Sequence, residues 1–297
     1  MQPLETHLPA LSREALHTMA VQAKKVISEP KHPLDDLIRT DRMPHIWCPG
    51  CGIGTVFSSC LHAILASGID IDKTVMVSGI GCSGRGAGYA KVDSFHTTHG
   101  RAIPFATGMK IANPDLNMIV FSGDGDLFAI GGNHFIHAAR RNIDMTVICI
   151  NNLNYGMTGG QVAATTPILA RTTTTPLGNP DAPFNLPLLA FASGATYIAR
   201  WTMLHTREVT ESIQSCLTRK GFSFVEVLAP CPVNYGRRNK ERPLDTLKMY
   251  QEKTIIQNGA NPAELALDFK KRVVLGTFVD VERPTFTETY NKLYRKE

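Results

Sequence analysis

The stretch NMIVFSGDGDLFAIGGN, residues 117–133, decides the fold. Its first half is a continuous apolar run with β-branched and aromatic side chains, the pattern of a strand buried on both faces. The run ends in Gly123-Asp124-Gly125-Asp126 and passes into a helical pattern. Runs of the same type lie at TVMVSGIGC (74–82), MTVICINN (145–152), ATYIAR (195–200) and FSFVEVLAPC (222–231). Helical patterns at about 53–67, 101–113, 127–141, 184–193 and 205–219 accompany them. Apolar strands alternating with helices predict an α/β fold, a doubly wound and mostly parallel sheet. The Thr/Pro-rich segment TTPILARTTTTPLGNPDAP (165–183) predicts a loop.

Around this domain, read as residues 45–238, lie two flanks. Residues 1–44 carry Pro3, Pro9, Pro30, Pro33 and Pro44 and read as an arm, with a helix over about 11–27, Ser12 as its N-cap and Glu14 in its first turn. Residues 239–297 read as a C-terminal tail. The net charge of +5 is spread along the chain, and RRNKER (237–242) is the one tight basic cluster, a solvated loop or a contact for an acidic partner or anion. No nucleic-acid recognition motif accompanies it. No apolar run approaches the roughly 20 residues of a membrane span, and the N-terminus lacks a secretory leader pattern. The expectation is a cytoplasmic protein with neither nucleic acid nor membrane as partner.

The residues capable of chemistry fall at strand ends. Cys82, Asp124, Asn152 and Cys231 each close an apolar run, and the carboxyl edge of an open α/β sheet is where ligands bind. Asp124 lies where glycines allow close backbone approach and a new helix offers free N–H groups to an anion. Asn152 follows on the next strand. A carboxylate, an amide oxygen and a nearby carbonyl suit Mg²⁺ held against a diphosphate. The 123–133 stretch itself is not a P-loop, because no GK[ST] follows, nor is it GxGxxG.

At this point a resemblance becomes specific. GDG followed by Asn151-Asn152 after a strand looks like the thiamine diphosphate signature. HIWCPGCGIG (45–54), SGIGCSGRGAGYAKVDSFHTTHGRAIPFATGMKIANP (78–114), IGGNHFIHAARRN (130–142) and NNLNYGMTGGQ (151–161) resemble the β subunits of 2-oxoacid:ferredoxin oxidoreductases, above all those of the two-subunit 2-oxoglutarate enzymes. The similarity runs from about residue 43 to 238. It implies that Asp124, Asn152 and the carbonyl of Asn154 bind Mg²⁺, and that Gly125 and Asp126 meet the diphosphate through backbone N–H groups. Gly81, Gly123, Gly156 and Thr158 would lie close by. The His99-Gly100-Arg101 turn would open a helix along the cofactor, which makes His99 and Arg101 the candidate catalytic residues; a helix-capping role for His99 is the alternative.

Seven cysteines without secretory context argue against a disulfide scaffold. Cys60, Cys149 and Cys216 fall inside helix or strand patterns and read as packing thiols. Cys48, Cys51, Cys82 and Cys231 remain, a Cys₄ set for Zn²⁺ or [4Fe–4S], with a Cys48–Cys51 redox disulfide as a third reading. The resemblance assigns these four to a [4Fe–4S] cluster. It further implies coenzyme A-dependent oxidative decarboxylation of a 2-oxoacid, reversible, with electrons passing to ferredoxin. The carboxylate that activates the aminopyrimidine is missing, so a separate α subunit in an (αβ)₂ assembly is expected, with the arm and tail as packing segments. Arg85, Lys91 and Arg101 are candidate cations for the far carboxylate of 2-oxoglutarate. Gly159 stands where some relatives have lysine, so pyruvate or another 2-oxoacid is an alternative, as is a non-redox subunit with structural zinc. His134 and His137, one turn apart, read as ordinary helix residues.

Overall fold

Each of the five apolar runs forms a strand, and three further strands join them in one sheet among the described residues. In chain order they are β1 (Thr74–Ser78), β2 (Asp93–His96), β3 (Asn117–Gly123), β4 (Met145–Asn151), β5 (Tyr197–Thr202), β6 (Phe222–Leu228), β7 (Thr254–Ile256) and β8 (Val273–Asp280). This computed structural model describes residues 32–294 together with Ser12 and Glu14. The expected arm helix over 11–27 therefore lies outside the described residues, those two positions apart. The chain divides into two compact units, Met1–Asp36 and Leu37–Glu297, and the sheet belongs to the second.

The sheet order is β2-β1-β3-β4-β6-β5-β8-β7. Every neighbouring pair is parallel except β5 with β8. β1, β4, β5 and β6 are buried along their whole length, which explains their predominantly apolar sequence. The three strands not anticipated lack that signature. β2 (DSFH) is a mostly exposed edge strand, β7 has three residues, and β8 carries mixed burial in the segment read as a tail.

The longer helices among the described residues are α1 (Ile53–Ser67), α2 (Ala102–Ala112), α3 (Gly132–Arg140), α4 (Leu186–Ser193), α5 (Thr206–Thr218), α6 (Pro243–Lys253) and α7 (Phe286–Tyr294). The pattern at 127–141 resolves into two parts: a π-helical segment, Gly125–Ile130, and then α3. Behind them Phe128 and Phe135, centroids 4.6 Å apart, pack edge-on against Phe222 and Phe224 of β6. From β1 the chain turns to β2 on one side, and from β3 it proceeds to β4 on the other. The crevice beyond the carboxyl ends of β1 and β3 is the switch point of a doubly wound sheet.

One polar arrangement interrupts the apolar strands. Arg200 of β5 and Glu226 of β6 are register partners, their side chains 1% and 0% exposed and joined by an Nε–Oε2 bond of 2.7 Å. Arg200 Nη1 donates to the Leu265 carbonyl at 2.7 Å, and Asn151 Nδ2 donates to Glu226 Oε1 at 2.7 Å. The pair thus anchors the end of β4 immediately before Asn152. Removing one partner of a buried ion pair strands the other charge, at about 3–5 kcal/mol. Glu226→Gln is expected to lower the unfolding free energy by that amount in denaturant titrations. Arg200→Met combined with Glu226→Leu should lower it less, because no charge is left behind; equal losses would contradict the ion-pair account.

Candidate functional site

Loops following β1, β3 and β4 enclose a cavity of about 110 Å³ at the switch point. Gly81, Cys82, Ser83, His99, Gly123, Asp124, Gly125, Asp126, Asn152, Asn154, Tyr155, Gly156 and Thr158 are among its lining residues. All ten positions named from sequence as cofactor neighbours are in that wall. Arg101 is not. It is exposed at the N-cap of α2, and its Nη1 donates to the Gly100 carbonyl at 3.2 Å.

The two aspartates of GDGD do different work. Asp126 Oδ1 accepts from His99 Nδ1 (2.5 Å), Gly100 N (2.7 Å) and Ile80 N (3.1 Å), and its Oδ2 accepts from Ser122 Oγ (2.8 Å). Four donors saturate a carboxylate, so Asp126 is the post to which the β1 loop and the His99 turn are tied. At Gly79 an added Cβ would fall 1.9 Å from Asp126 Oδ2, so that position has no room for a side chain. Asp124 keeps an oxygen free of such ties. Its Oδ2 accepts from the Thr165 hydroxyl, delivered by the 165–183 loop, while Oδ1 faces Asn152. Burial pushes the Asp124 carboxyl up to about 7, opposed by the Thr165 hydroxyl and by backbone N–H groups of Gly125 and Asn152.

The Asn152 amide atom facing the Asn154 carbonyl (2.9 Å) and Asp124 Oδ1 (2.8 Å) is assigned as oxygen; with the amide turned, nitrogen would donate to both. With oxygen inward, that one atom lies at these spacings from both the Asn154 carbonyl and Asp124 Oδ1. Ligands about 2.1 Å from an octahedral Mg²⁺ stand about 2.9 Å apart. Leu153, between the two asparagines, has φ 63°, a conformation that bulky residues rarely adopt and that turns the chain between the two oxygens. Two buried polar side chains in the wall, Ser83 Oγ and the Asn154 amide, have no hydrogen-bond partner among the described residues.

A second cavity, of about 250 Å³, abuts the first, and Cys48, Cys51, Cys82 and Cys231 all line it. Cys82, Asn152, Gly156 and Met157 belong to both walls. A Cβ on Gly156 would stand 3.5 Å from Cys82 Sγ and 3.6 Å from Cys231 Sγ, so Gly156 separates the two spaces by backbone alone. Trp47 holds the cysteine loops together. Its Nε1 donates to the Cys82 carbonyl at 2.7 Å, and its ring packs on Tyr89 and Phe57. Cys231 N donates to the Asn152 carbonyl at 3.2 Å, and Asn234 N donates to Cys231 Sγ at 3.4 Å. Burial pushes the Cys82 thiol up to about 11, and the nearby Cys231, Cys51 and Cys48 add to the shift. Burial likewise raises Cys51, with Cys48 and Cys231 contributing. Cys51 and Cys82 therefore sense the thiols around them. All are free, and no group of three or more His, Cys, Asp or Glu side chains among the described residues is arranged to hold a metal ion.

Cys60, Cys149 and Cys216 are buried elsewhere; burial pushes Cys60 and Cys216 up to about 12 and raises Cys149. Arg85 and Lys91 are exposed and, like Arg101, line neither cavity. Nor do His134 and His137. Sequence reasoning missed Thr165, Ser83, Trp47 and Asn234. Of these, Thr165 alone sat in a segment noted for its composition, and nothing one-dimensional marks it as the neighbour of Asp124.

Three comparisons bear on this geometry. The family described as the thiamine pyrophosphate enzyme C-terminal TPP-binding domain matches residues 79–227. A 2-oxoglutarate synthase subunit KorB of Methanocaldococcus jannaschii is 50% identical over 266 residues, 89% of this chain and 98% of that one. A 2-oxoacid:ferredoxin oxidoreductase β subunit of a Sulfolobus species is 37% identical over 256 residues, 82% and 84% of the two chains. The solved 2-oxoglutarate:ferredoxin oxidoreductase of Magnetococcus marinus, with 2-oxoglutarate, coenzyme A and succinyl-CoA bound, superposes with a TM-score of 0.79 at 32% identity, covering 90% of this chain and 91% of that one. A thiamine-binding domain with paired cavities at its sheet edge and relatives of this closeness place the chain in the family of 2-oxoacid:ferredoxin oxidoreductase β subunits.

Proposed function

We propose that the chain is the β subunit of a thiamine diphosphate-dependent 2-oxoglutarate:ferredoxin oxidoreductase, which converts 2-oxoglutarate and coenzyme A to succinyl-CoA and CO₂, reversibly, and passes the electrons to ferredoxin. The observation that carries this reading is the shared wall of the two cavities, with Cys82 and Gly156 facing both. A cofactor in the first and an electron acceptor in the second would be neighbours.

The residues fit both groups. Asp124, Asn152 and the Asn154 carbonyl would hold Mg²⁺, with two of the oxygen spacings, 2.8 and 2.9 Å, at octahedral edge length. The Gly125 and Asp126 N–H groups, at the start of the helical segment, would meet the diphosphate. Gly81, Gly123, Gly156 and Thr158 would form the close walls. His99, its Nδ1 committed to Asp126, would present its other ring nitrogen to the site. Arg101, exposed beside it, would face the half contributed by a partner. Thiamine diphosphate supplies the electron-sink chemistry of 2-oxoacid decarboxylation, and a [4Fe–4S] cluster supplies one-electron transfer.

A cluster suits the four thiols better than zinc. A single Zn²⁺ needs its thiolates to converge on one point about 2.3 Å away. In a cluster each thiolate takes its own iron, so the sulfurs ring a volume, as they ring the 250 Å³ cavity here. A partner α subunit would provide the aminopyrimidine-activating carboxylate and complete an (αβ)₂ enzyme. Exposed Phe95 and Phe105, paired at 5.1 Å, and exposed Ile111 and Ile130 offer apolar surface for that contact.

The test is viologen reduction by the anaerobic complex with its α subunit. It should require coenzyme A and run faster with 2-oxoglutarate than with pyruvate. A preference for pyruvate would reassign the substrate, and the β chain alone should be inactive. A narrower prediction concerns Thr165. Thr165→Val removes the hydroxyl that orients Asp124 and should weaken Mg²⁺ binding about 10–100-fold, the usual cost of losing such a support. Calorimetric titration of Mg²⁺ in the presence of thiamine diphosphate measures it.

A further inference from the structure

The four-thiol cavity approaches the surface at the Cys48–Cys51 turn, where Cys48 is exposed. Two grooves flank that turn, and their charges differ. The larger, of about 1030 Å³, runs between α1 and α5, and there Arg207 is neutralised by Glu211 at 2.8 Å. The smaller, of about 360 Å³, joins Pro49 of the turn to Pro232, next to Cys231, and to the segment 236–243. Residues 237–245 carry four cations, Arg237, Arg238, Lys240 and Arg242, against two carboxylates, Glu241 and Asp245. Asp245 is taken up by Arg242, with two contacts of 2.9 Å. Burial raises the Glu241 carboxyl above its usual range. Arg237, Arg238 and Lys240 are exposed and make no ion pair among the described residues.

This basic segment is fixed to the cysteine loops. Gly236 N donates to the Cys231 carbonyl at 2.9 Å, and Glu241 N donates to Gly236 O at 2.8 Å. Asn239 bonds the backbone of Arg171 and the Tyr235 carbonyl, so the turn is also pinned from the other side. On Gly50 an added Cβ would touch Pro243 at 3.4 Å, so the Cys48–Cys51 turn rests on the start of α6. The positive charge is therefore held at a set distance from the thiols.

We propose that the face formed by the Cys48–Cys51 turn and the basic segment 237–242 is the docking surface for the one-electron acceptor, a small carrier protein whose redox centre is ringed by carboxylates. The proposal rests on the reading of the four thiols as an electron-carrying centre. Each 2-oxoacid oxidised releases two electrons, so two carrier molecules must visit in turn, one electron leaving with each. Complementary charge speeds such encounters and lets the reduced carrier depart, where a large apolar interface would hold it.

The experiment uses the complete complex with its α subunit and two acceptors: an acidic [4Fe–4S] ferredoxin, and methyl viologen, which has no acidic surface. Arg237→Glu and Lys240→Glu should each raise the KM for the ferredoxin about tenfold or more and flatten its dependence on ionic strength. Viologen reduction should keep its parent rate. An unchanged ferredoxin KM and salt dependence would overturn the proposal. So would failure of the variants to assemble with the α subunit, which would assign the face to a subunit contact. A faulty cluster reading shows itself separately, as absence of viologen reduction by the parent complex.

Discussion

Mutually parallel strands must end on one edge of their sheet, as the six from β2 to β5 do here, and the rest of this molecule follows from that constraint. β1, β3, β4 and β6 deliver their last residues to a single rim, and each continues into a loop bearing a thiol, a carboxylate or an amide oxygen. The sheet interior tolerates one ionic exception, Arg200 with Glu226. That exception serves the rim, since it grips Asn151 immediately before the turn.

Within the rim, two adjacent carboxylates are set apart by their hydrogen bonds. Asp126 is saturated by four donors and acts as a fastener. Asp124, one residue beyond β3, keeps Oδ1 toward the Asn152 amide in a setting that raises its pKa through burial. A buried carboxylate with an amide and a backbone carbonyl beside it would suit a cation. The thiols show the same logic. Burial and neighbouring thiols disfavour the thiolates of Cys51 and Cys82, and a bound metal centre would supply the positive charge that reverses the sign.

Much of this was legible in the sequence because the informative signals were local. Five apolar runs gave strand identity, and the glycine, aspartate, asparagine or cysteine closing four of them gave the edge as well. Helices with clear punctuation, such as α1 between Gly52 and Gly68, came out at their true ends. What stayed hidden depends on contact between distant segments. β2 is short, polar and exposed, and β7 and β8 complete the sheet from a segment that reads as a tail. The division of labour between Asp124 and Asp126 cannot be read from GDGD, where the two look alike. Neither can the bond by which Trp47 ties its loop to Cys82, or Thr165 reaching Asp124 from 41 residues away.

The central claim is that the four thiols ring a space for a cluster one backbone thickness from the thiamine site. Iron and acid-labile sulfide, measured per chain on protein prepared and kept anaerobic, test it most directly. About four of each per chain is the predicted result. A full complement of zinc with no sulfide would contradict it and leave a non-redox thiamine-dependent subunit in its place.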